Sequence, residues 1–262
     1  MFLSLFNLTQ HPFMENPPID WILTDPRFEQ ALARLKFFQD QGSIALIIGQ
    51  TGIGKSSLLR RFVHNLPQNR YHPIYVHLTP INANAFLRLI VTKLGEAPKM
   101  GKDRLFLQIA DRIGKNEKTT LLLIDECHLI DPKALTDLRL LISAIDTQLR
   151  LKIILSGQEN LCHVLKRSSH ADLVHRIGVR FFFKALLKDQ TSVYIDSRMS
   201  LAGGAEKIFE PEAKHLIHDY TGGVPRQINN VATACLINAA AKGMKIITEP
   251  LVNETMSEFE LP

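Results

Sequence analysis

Short apolar runs recur along the first two thirds of the chain, and longer stretches separate them in which apolar residues return every three or four positions. The runs are rich in Ile, Leu and Phe and nearly continuous in apolar character, which is typical of strands buried on both faces of a parallel sheet. The intervening stretches are long enough for helical crossovers, so the pattern predicts an α/β fold. The predicted strands cover residues 44–48, 74–78, 120–124, 152–155 and 179–183.

After Lys188 the strand pattern stops, and helical patterns follow over residues 188–201, 212–220 and 226–241, with a further one from Glu249. The glycine pairs at 203–204 and 222–223 separate them. We therefore predict two domains. An α/β domain covers residues 1–187 and includes an N-terminal arm and helix at residues 1–40, and a small helical domain covers residues 188–262.

Composition narrows the class of protein. The chain has 262 residues, of which 45% are hydrophobic and 22% charged, and these values exclude wholesale disorder, collagen and coiled coil. No apolar run approaches the roughly 18 residues that span a bilayer, and no Lys or Arg precedes the apolar N-terminus as in a secretory signal. The three cysteines are widely spaced and predict neither a disulfide framework nor a metal site. We expect a cytoplasmic protein without membrane contact.

The segment 49–56, GQTGIGKS, fits the phosphate-binding pattern G-x-x-x-x-G-K-[ST] between a predicted strand and a helical pattern. Its glycines let backbone N–H groups wrap a phosphate chain, and the following helix adds its positive end. Lys55 would hold the β- and γ-phosphates, and Ser56 would bind Mg²⁺. The motif predicts ATP and Mg²⁺ as ligands, with a binding set of Gly49, Gln50, Thr51, Gly52, Ile53, Gly54, Lys55, Ser56 and Ser57.

A second motif consists of two carboxylates, Asp125 and Glu126, directly after the apolar strand at 120–124. In sheets of this class, ligands bind at the carboxyl ends of the strands. Asp125 would hold Mg²⁺ through Ser56 or water, and Glu126 would orient and polarise the attacking water. The next residues, Cys127 and His128, are predicted to be structural. Together the four letters resemble a helicase DEAH box, but a two-lobed helicase does not fit in 262 residues.

The order of these motifs resembles that of the AAA+ ATPases, most closely the bacterial group of the secretion protein ExeA and the transposition ATPases TnsC and TniB. The resemblance implies a P-loop AAA+ core with a parallel sheet flanked by helices, followed by a C-terminal helical lid. The N-terminal HPF at 11–13 and the DPRF at 25–28 are similar to a segment near the adenine in that group. The group has an Asn-Pro-Phe there, so the first of these departs from its pattern.

Three further residue roles follow from this resemblance. In the segment 153–158, IILSGQ, Ser156 stands at the first sensor and would contact the γ-phosphate or the attacking water. In the segment 221–229, TGGVPRQIN, Arg226 stands at the second sensor and would contact the phosphates. Arg176 stands at the arginine finger, which would reach the nucleotide of the adjacent protomer, with Arg180 and Arg167 as alternatives.

Charge gives a weaker indication of the partner. The chain has 31 Lys and Arg against 26 Asp and Glu, a net charge of +5, and residues 150–189 alone contain eight basic and three acidic residues. The excess therefore fits a subunit interface as well as a DNA surface. By resemblance, the loop after the second strand faces a central channel, so Lys99, Lys102 and Arg104 are the candidate DNA contacts, salt-sensitive and independent of sequence.

These features predict an ATPase that assembles on double-stranded DNA as a ring or filament with a hexameric turn and regulates a transposase, with a targeting protein as a further partner. The alternative is an ExeA-like ATPase that assists assembly of a secretion system. That group continues into a membrane span and a periplasmic part, so the lack of a span favours the first. A nucleotide-dependent scaffold without hydrolysis is disfavoured because Lys55, Asp125 and Glu126 are all present.

Overall fold

The computed structural model describes residues 2–145, 150–205 and 207–257. Within these residues, five strands form one sheet in which every neighbouring pair is parallel. The predicted α/β class is thereby confirmed. The strands are β1 (Ile44–Ile48), β2 (Tyr71–His77), β3 (Thr119–Asp125), β4 (Leu151–Gly157) and β5 (Ile177–Phe182), and they lie in the order β2-β3-β4-β1-β5.

The prediction that all strands are buried on both faces is wrong for the two strands at the edges of the sheet. In β1, β3 and β4 nearly every residue is buried, because helices cover both faces of the central strands. Buried and more exposed residues alternate along most of β2 and throughout β5, and Phe182 is 55% exposed. Only one face of each edge strand is covered, whereas its apolar run in the sequence predicted that both faces are.

Helices connect the strands and continue beyond them. Those up to the last strand are α1 (Phe2–Leu5), α2 (Pro26–Gln41), α3 (Lys55–His64), α4 (Ala83–Lys93), α5 (Lys102–Gly114), α6 (Pro132–Ile145), α7 (Asn160–Leu165) and α8 (Ala171–His175). Those after it are α9 (Lys188–Leu201), α10 (Pro211–Thr221), α11 (Pro225–Ala241) and α12 (Glu249–Ser257). All four helices predicted after residue 188 are therefore present.

The chain divides into two compact units, of which the α/β unit comprises residues 27–51 and 55–183. Its apolar core lies between the sheet and α4, α5 and α6, with Ile48, Phe86, Leu138 and Leu155 among the buried side chains. The start of α6 is capped by Asp131, whose Oδ1 accepts a hydrogen bond from the backbone N–H of Lys133 at 2.9 Å. Such caps satisfy N–H groups that have no acceptor within the helix.

The helical unit comprises, within the described residues, 2–26, 52–54 and the chain from 184 onward. Phe6, Leu8, Phe13 and Trp21 of the N-terminal arm share one apolar core with the C-terminal helices. The arm therefore differs from its predicted place in the α/β domain: its large apolar side chains find their cover among helices that follow much later in the chain. The outer limits of the predicted domains, residues 1 and 262, lie outside the described residues.

A buried arginine of α9 also holds this arm. The side chain of Arg198 is 2% exposed, and its guanidinium donates to the backbone oxygens of Trp21 at 3.3 Å and Met14 at 3.1 Å. The same group lies 5.5 Å from the centre of the Trp21 ring. Burial lowers the pKa of Arg198 from its ordinary value. Nearby, the backbone N–H of Thr9 donates to the oxygen of Ala202 at 2.8 Å.

Two glycines shape the connection from α10 to α11. Gly222 ends α10 in the left-handed conformation, and Gly223 follows with a φ of 73°. A Cβ atom at Gly223 would lie 2.1 Å from the backbone oxygen of Leu186, so no larger residue fits there. Directly after the turn, Pro225 is the first residue of α11.

None of the helices in the described ranges combines the length and apolar character that a bilayer crossing demands.

Candidate active site

The loop from β1 to α3 holds a buried lysine. Lys55 begins α3, and its Nζ donates to the backbone oxygens of Gly49 at 2.8 Å and Gln50 at 3.0 Å. The next residues, Ser56 and Ser57, lie in the first turn of α3, where backbone N–H groups have no acceptor within the helix and the helix dipole is positive. No acidic residue lies in that turn. The lysine and the helix end together suit an anion such as phosphate.

The carboxylate of Asp125, at the end of β3, is the centre of a hydrogen-bond network. Its Oδ2 accepts from the hydroxyls of Ser56 at 2.8 Å and Tyr75 at 2.5 Å. Its Oδ1 accepts from the hydroxyl of Ser156 at 2.8 Å and from the backbone N–H of Glu126 at 3.0 Å. Four donors from α3, β2, β4 and the chain after β3 therefore converge on one buried carboxylate.

The hydrogen bonds of this network keep the carboxyl group of Asp125 ionised. Burial by itself raises the pKa of this carboxyl, but the hydrogen bonds from Tyr75, Ser56, Ser156 and the backbone outweigh it and lower the pKa. Burial and the hydrogen bond to Asp125 raise the pKa of the Tyr75 phenol, which keeps it protonated and donating. Asp125 is therefore an anion whose oxygens are already engaged.

These groups fit Mg²⁺ held through the Ser56 hydroxyl and water. Mg²⁺ retains several waters and is bound by one or two protein oxygens together with substrate phosphates. In the described part of the chain no group of three or more His, Cys, Asp or Glu could form a metal site by itself. One carboxylate and one hydroxyl beside a phosphate-binding loop is a donor set of the kind that Mg²⁺ uses.

Ser156, the predicted first sensor, belongs to the hydrogen-bond network of Asp125. Its hydroxyl is completely buried and donates to Oδ1 of Asp125 at 2.8 Å. The cause is strand register: Ile124 pairs with Leu155, which places the next residue of β4 beside the next residue of β3. Ser156 therefore positions Asp125.

Glu126 stands at a strained point of the backbone. Its φ of 53° and ψ of 34° are left-handed, a conformation that costs a non-glycine residue about 1–3 kcal/mol and is concentrated at functional sites. Glu126 precedes a short 3-10 turn, Cys127–Leu129, and its Oε2 lies 3.4 Å from Nδ1 of His128. The His128 Nε2 in turn lies 3.0 Å from Nε2 of Gln158.

Sequence reasoning missed Tyr75, Gln158 and the contact of His128. The contact of Tyr75 depends on the pairing of β2 with β3, which puts Tyr75 on the same face of the sheet as Asp125 and which the sequence pattern does not show. Gln158 stood within the quoted segment 153–158 without a role. Nothing in the sequence pattern indicated that the imidazole of His128 turns toward Glu126.

Arg176 lies away from this chain's own phosphate loop. It follows α8 and directly precedes β5, and its Nη2 donates to Oγ of Ser143 at 3.1 Å. Because β5 is parallel to β1, Arg176 lies at the amino edge of the sheet and the loop at the carboxyl edge. Six residues of strand separate the two edges by about 20 Å. The rivals Arg180, on β5, and Arg167, before a 3-10 turn, are both exposed.

Arg226 contacts the phosphate-loop glycine that belongs to its own helical unit. Its backbone N–H donates to the oxygen of Gly52 at 3.2 Å. A Cβ atom at Gly52 would lie 2.6 Å from the Cβ of Arg226, and the φ of Gly52 is 77°, so this position accepts only glycine. The Nη2 of Arg226 lies 3.4 Å from Oε1 of Glu15. Ile53 and Gly54 belong to the same unit.

The candidate DNA contacts are not equivalent. The Nζ of Lys102 lies 2.9 Å from Oδ1 of Asp137, whose side chain is 6% exposed, so its charge is neutralised within the protein. Lys99 and Arg104 are exposed. Within the basic segment, Lys152 is buried and donates to the backbone oxygens of Phe38 and Gly42 at the end of α2. Part of the basic excess therefore supports the fold.

The chain is similar in sequence to known proteins. A family model described as an AAA domain matches residues 39–165. The chain is 30% identical over 251 residues to the General secretion pathway protein A of Aeromonas hydrophila, covering 93% of this chain. The chain spans about half the length, 46%, of that curated relative.

Solved structures show the same fold at lower identity. The Cdc6p structure from Pyrobaculum aerophilum has a TM-score of 0.76 and 17% identity, over 96% of this chain and 72% of that one. The Aeropyrum pernix Orc1 protein in complex with DNA has a TM-score of 0.73 and 16% identity, over 95% of this chain and 69% of that one. Residues 39–165 are therefore similar to an AAA domain, and the α/β fold of the chain matches that of the solved Cdc6 and Orc1 structures.

Proposed function

We propose that this protein binds ATP with Mg²⁺ and hydrolyses it to ADP and phosphate. The observation that carries the proposal is the ionised, four-fold hydrogen-bonded Asp125, linked to Ser56 beside the buried Lys55. The first turn of α3 and Lys55 hold the phosphates, and Ser56 and Asp125 hold the ion. Mg²⁺, when bound, neutralises charge on the phosphate oxygens. Glu126 orients the attacking water and accepts its proton.

Exchange of Glu126 for glutamine tests the hydrolytic step. Glu126→Gln removes the proton acceptor and keeps the shape, so turnover should fall about 100-fold or more while ATP affinity stays unchanged. Fluorescent-nucleotide binding and phosphate release measure the two quantities. Glu159→Gln, on an exposed residue at the start of α7, is the matched control. Undiminished turnover in Glu126→Gln would remove Glu126 from the mechanism.

Two arginines complete the proposed phosphate contacts. Arg226 contacts the phosphates as the second sensor, a role supported by its hydrogen bond to Gly52 of the phosphate loop. Arg176 acts on the nucleotide of an adjacent protomer, which is supported by its place at the sheet edge away from its own loop. A planar guanidinium suits both roles because charge spreads over the phosphate oxygens during transfer. Hydrolysis then depends on oligomer formation.

For the biological role, we infer assembly on double-stranded DNA in the service of a transposase, guided by a targeting protein. The fold shared with an Orc1 protein solved in complex with DNA supports DNA as a partner, as do the exposed Lys99 and Arg104. Three free cysteines, with burial raising the pKa of Cys235 to about 11, fit a reducing compartment, so we place the protein in the cytoplasm.

The second candidate role is assistance in assembling a secretion system. The similarity to General secretion pathway protein A over 93% of this chain favours it directly. Both roles use the same ATPase core, so they differ in the partner that the assembled protein recognises. A DNA-binding experiment separates them.

DNA assembly should require ATP and should weaken steeply with salt. With a non-hydrolysable ATP analogue at low salt, the protein should form large complexes on duplex DNA of any sequence, visible by microscopy and sedimentation. The double substitution of Lys99 and Arg104 by alanine should weaken binding and flatten its salt dependence, whereas Lys118→Ala, at an exposed lysine outside this loop, should not. Monomers only, with DNA and analogue present, would leave the secretion role as the better proposal.

A further inference from the structure

We propose that His128, held by Gln158, is a positioning residue that orients the carboxylate of Glu126 for hydrolysis. The inference rests on the proposed ATPase function and assigns a role to two residues that the phosphate-binding motifs leave unused. His128 is the third residue after Asp125, in the 3-10 turn Cys127–Leu129. Gln158 is the first residue after β4.

The side chains of Glu126, His128 and Gln158 lie in series, with His128 in contact with both of the others. Oε2 of Glu126 lies 3.4 Å from Nδ1 of His128, and Nε2 of His128 lies 3.0 Å from Nε2 of Gln158. The side chain of His128 is 11% exposed and that of Glu126 is 23% exposed, so little water competes with this contact. The Nδ1 atom itself is buried and has no acceptor with full hydrogen-bond geometry among the residues that the structure describes. The Glu126 carboxylate, at 3.4 Å, is the partner that we assign to it.

Gln158 determines which imidazole nitrogen has the proton. An amide nitrogen only donates, so Nε2 of His128 must accept from Gln158 and Nδ1 must bear the hydrogen. An ionised carboxylate only accepts, so Glu126 requires the same tautomer. The two neighbours of the ring therefore agree, and an N–H group is directed at the carboxylate that handles the attacking water.

The end of β4 contacts the acidic motif at three consecutive positions. Ser156 donates to Asp125, and Gln158 contacts His128. Between them, a Cβ atom at Gly157 would lie 3.1 Å from the backbone nitrogen of His128, so glycine lets the two segments approach closely. The left-handed backbone of Glu126 turns the chain at this place. The end of β4, which lies between β3 and β1 in the sheet, thereby positions both carboxylates.

Substitution of the two residues tests the proposal. His128→Leu removes both ring nitrogens, and kcat should fall about 10- to 100-fold, the range seen when a group that orients a functional side chain is lost. KM and nucleotide affinity should stay within about threefold, since neither residue binds the phosphates. His128→Asn restores a donor near Nδ1 and should recover part of kcat. Gln158→Leu should lower kcat with the same unchanged KM.

A matched control and a second genetic background exclude a merely structural effect. His72→Ala removes another histidine that lies near an amide side chain, that of Asn116 at 3.4 Å, and should leave kcat unchanged. In the Glu126→Gln background, measured by single-turnover hydrolysis, His128→Leu should cause no further loss, because the group that it positions is gone. Thermal unfolding and nucleotide binding show whether each variant is folded. If His128→Leu does not fold, kcat of Gln158→Leu and of His128→Asn tests the proposal instead.

The outcomes separate the two proposals. If the unsubstituted protein releases no phosphate from ATP, the proposed function fails. If Glu126→Gln retains full turnover, the proposed role of Glu126 fails and the inference fails with it. If Glu126→Gln stalls hydrolysis and His128→Leu keeps kcat within about twofold of the unsubstituted protein, the inference alone is wrong. An equal loss from His128→Leu in both backgrounds would likewise overturn it, because that loss would come from the fold.

Discussion

At the scale of single residues, the carboxylate of Asp125, whose two oxygens both accept hydrogen bonds, explains most of the chemistry of the site. Ser56, Tyr75, Ser156 and the backbone of Glu126 all donate to it, so its orientation is determined by α3, β2, β4 and the chain after β3. A negative charge held this firmly stays in place when phosphates bind nearby. Such fixed dipoles and charges stabilise a transition state without a reorganisation cost.

The lowered pKa of Asp125 predicts an acid-dependent stability. Because the folded pKa lies below the ordinary value, the ionised carboxylate stabilises the fold above that ordinary value, and the contribution is lost as the pH falls through the folded pKa. Asp125→Asn should lower the free energy of unfolding by about 1–3 kcal/mol at pH 7. The difference from the unsubstituted protein should shrink below about pH 4.

Urea unfolding followed by circular dichroism at neutral and acid pH measures this difference. Asp172→Asn, at a carboxylate that is 71% exposed and paired with Arg139, is the control and should change stability little at either pH. A difference for Asp125→Asn that stays constant from pH 7 to the acid range would contradict the assigned charge.

At the scale of elements, the turn between α10 and α11 depends on one glycine. Gly223 has a φ of 73° and no room for a Cβ beside Leu186, whose N–H also donates to the Gly223 oxygen at 2.9 Å. The turn connects the stretch before α9 to the start of α11, where Arg226 lies. A displaced turn therefore affects both the helical unit and the candidate phosphate contact.

Gly223→Ala should destabilise the protein far more than an equivalent change at an open glycine. Gly243 also has a positive φ, of 67°, but a Cβ there would contact nothing within 4 Å. Gly243→Ala thus reports backbone strain alone, about 1 kcal/mol, while Gly223→Ala adds a collision with a backbone oxygen and should exceed it by about 2 kcal/mol or more. Thermal unfolding of the two variants measures the difference, and equal midpoints would show that the turn rearranges freely.

The sequence pattern predicted the elements better than it predicted their surroundings. Two predictions, β1 at Ile44–Ile48 and α9 at Lys188–Leu201, match the structure residue for residue, because strong local signals bound them. The patterns of β2 and β5 did not reveal that these strands lie at the edges, since strand order is a property of the whole sheet.

The same limit applied within the candidate site. The phosphate loop and the acidic pair could be found because each motif consists of residues that are close together in the sequence. The direction of the Ser156 hydroxyl depends on the pairing of β3 with β4, and the contact of His128 with Gln158 joins segments 30 residues apart. Such pairings become visible only with the fold.

At the scale of the whole molecule, the place of Arg176 predicts that hydrolysis is shared between protomers. The arginine lies about one strand length, about 20 Å, from its own phosphate loop. A head-to-tail interface would bring it to the loop of a neighbour. Each protomer would then supply Glu126 to its own nucleotide and Arg176 to the next.

Mixing two inactive variants tests this sharing. Arg176→Ala and Glu126→Gln should each hydrolyse ATP very slowly alone. Combined in equal amounts, random assembly places about one quarter of the sites between an intact Glu126 and an intact Arg176, so activity should reappear at about that level. Phosphate release during titration of one variant with the other gives the measurement. Retained activity of Arg176→Ala alone would point to Arg180 or Arg167.

The N-terminal arm also has a consequence for synthesis on the ribosome. Its apolar side chains, including Trp21, share a core with Leu251 and Val252, which leave the ribosome long after the arm. At roughly 5–20 residues per second, translation of the intervening chain takes about 10–50 s. During that time the sheet can fold, but the apolar side chains of the arm remain exposed to solvent. Chaperones recognise such surfaces. Newly made chains should therefore be more prone to aggregate before α12 emerges than after it.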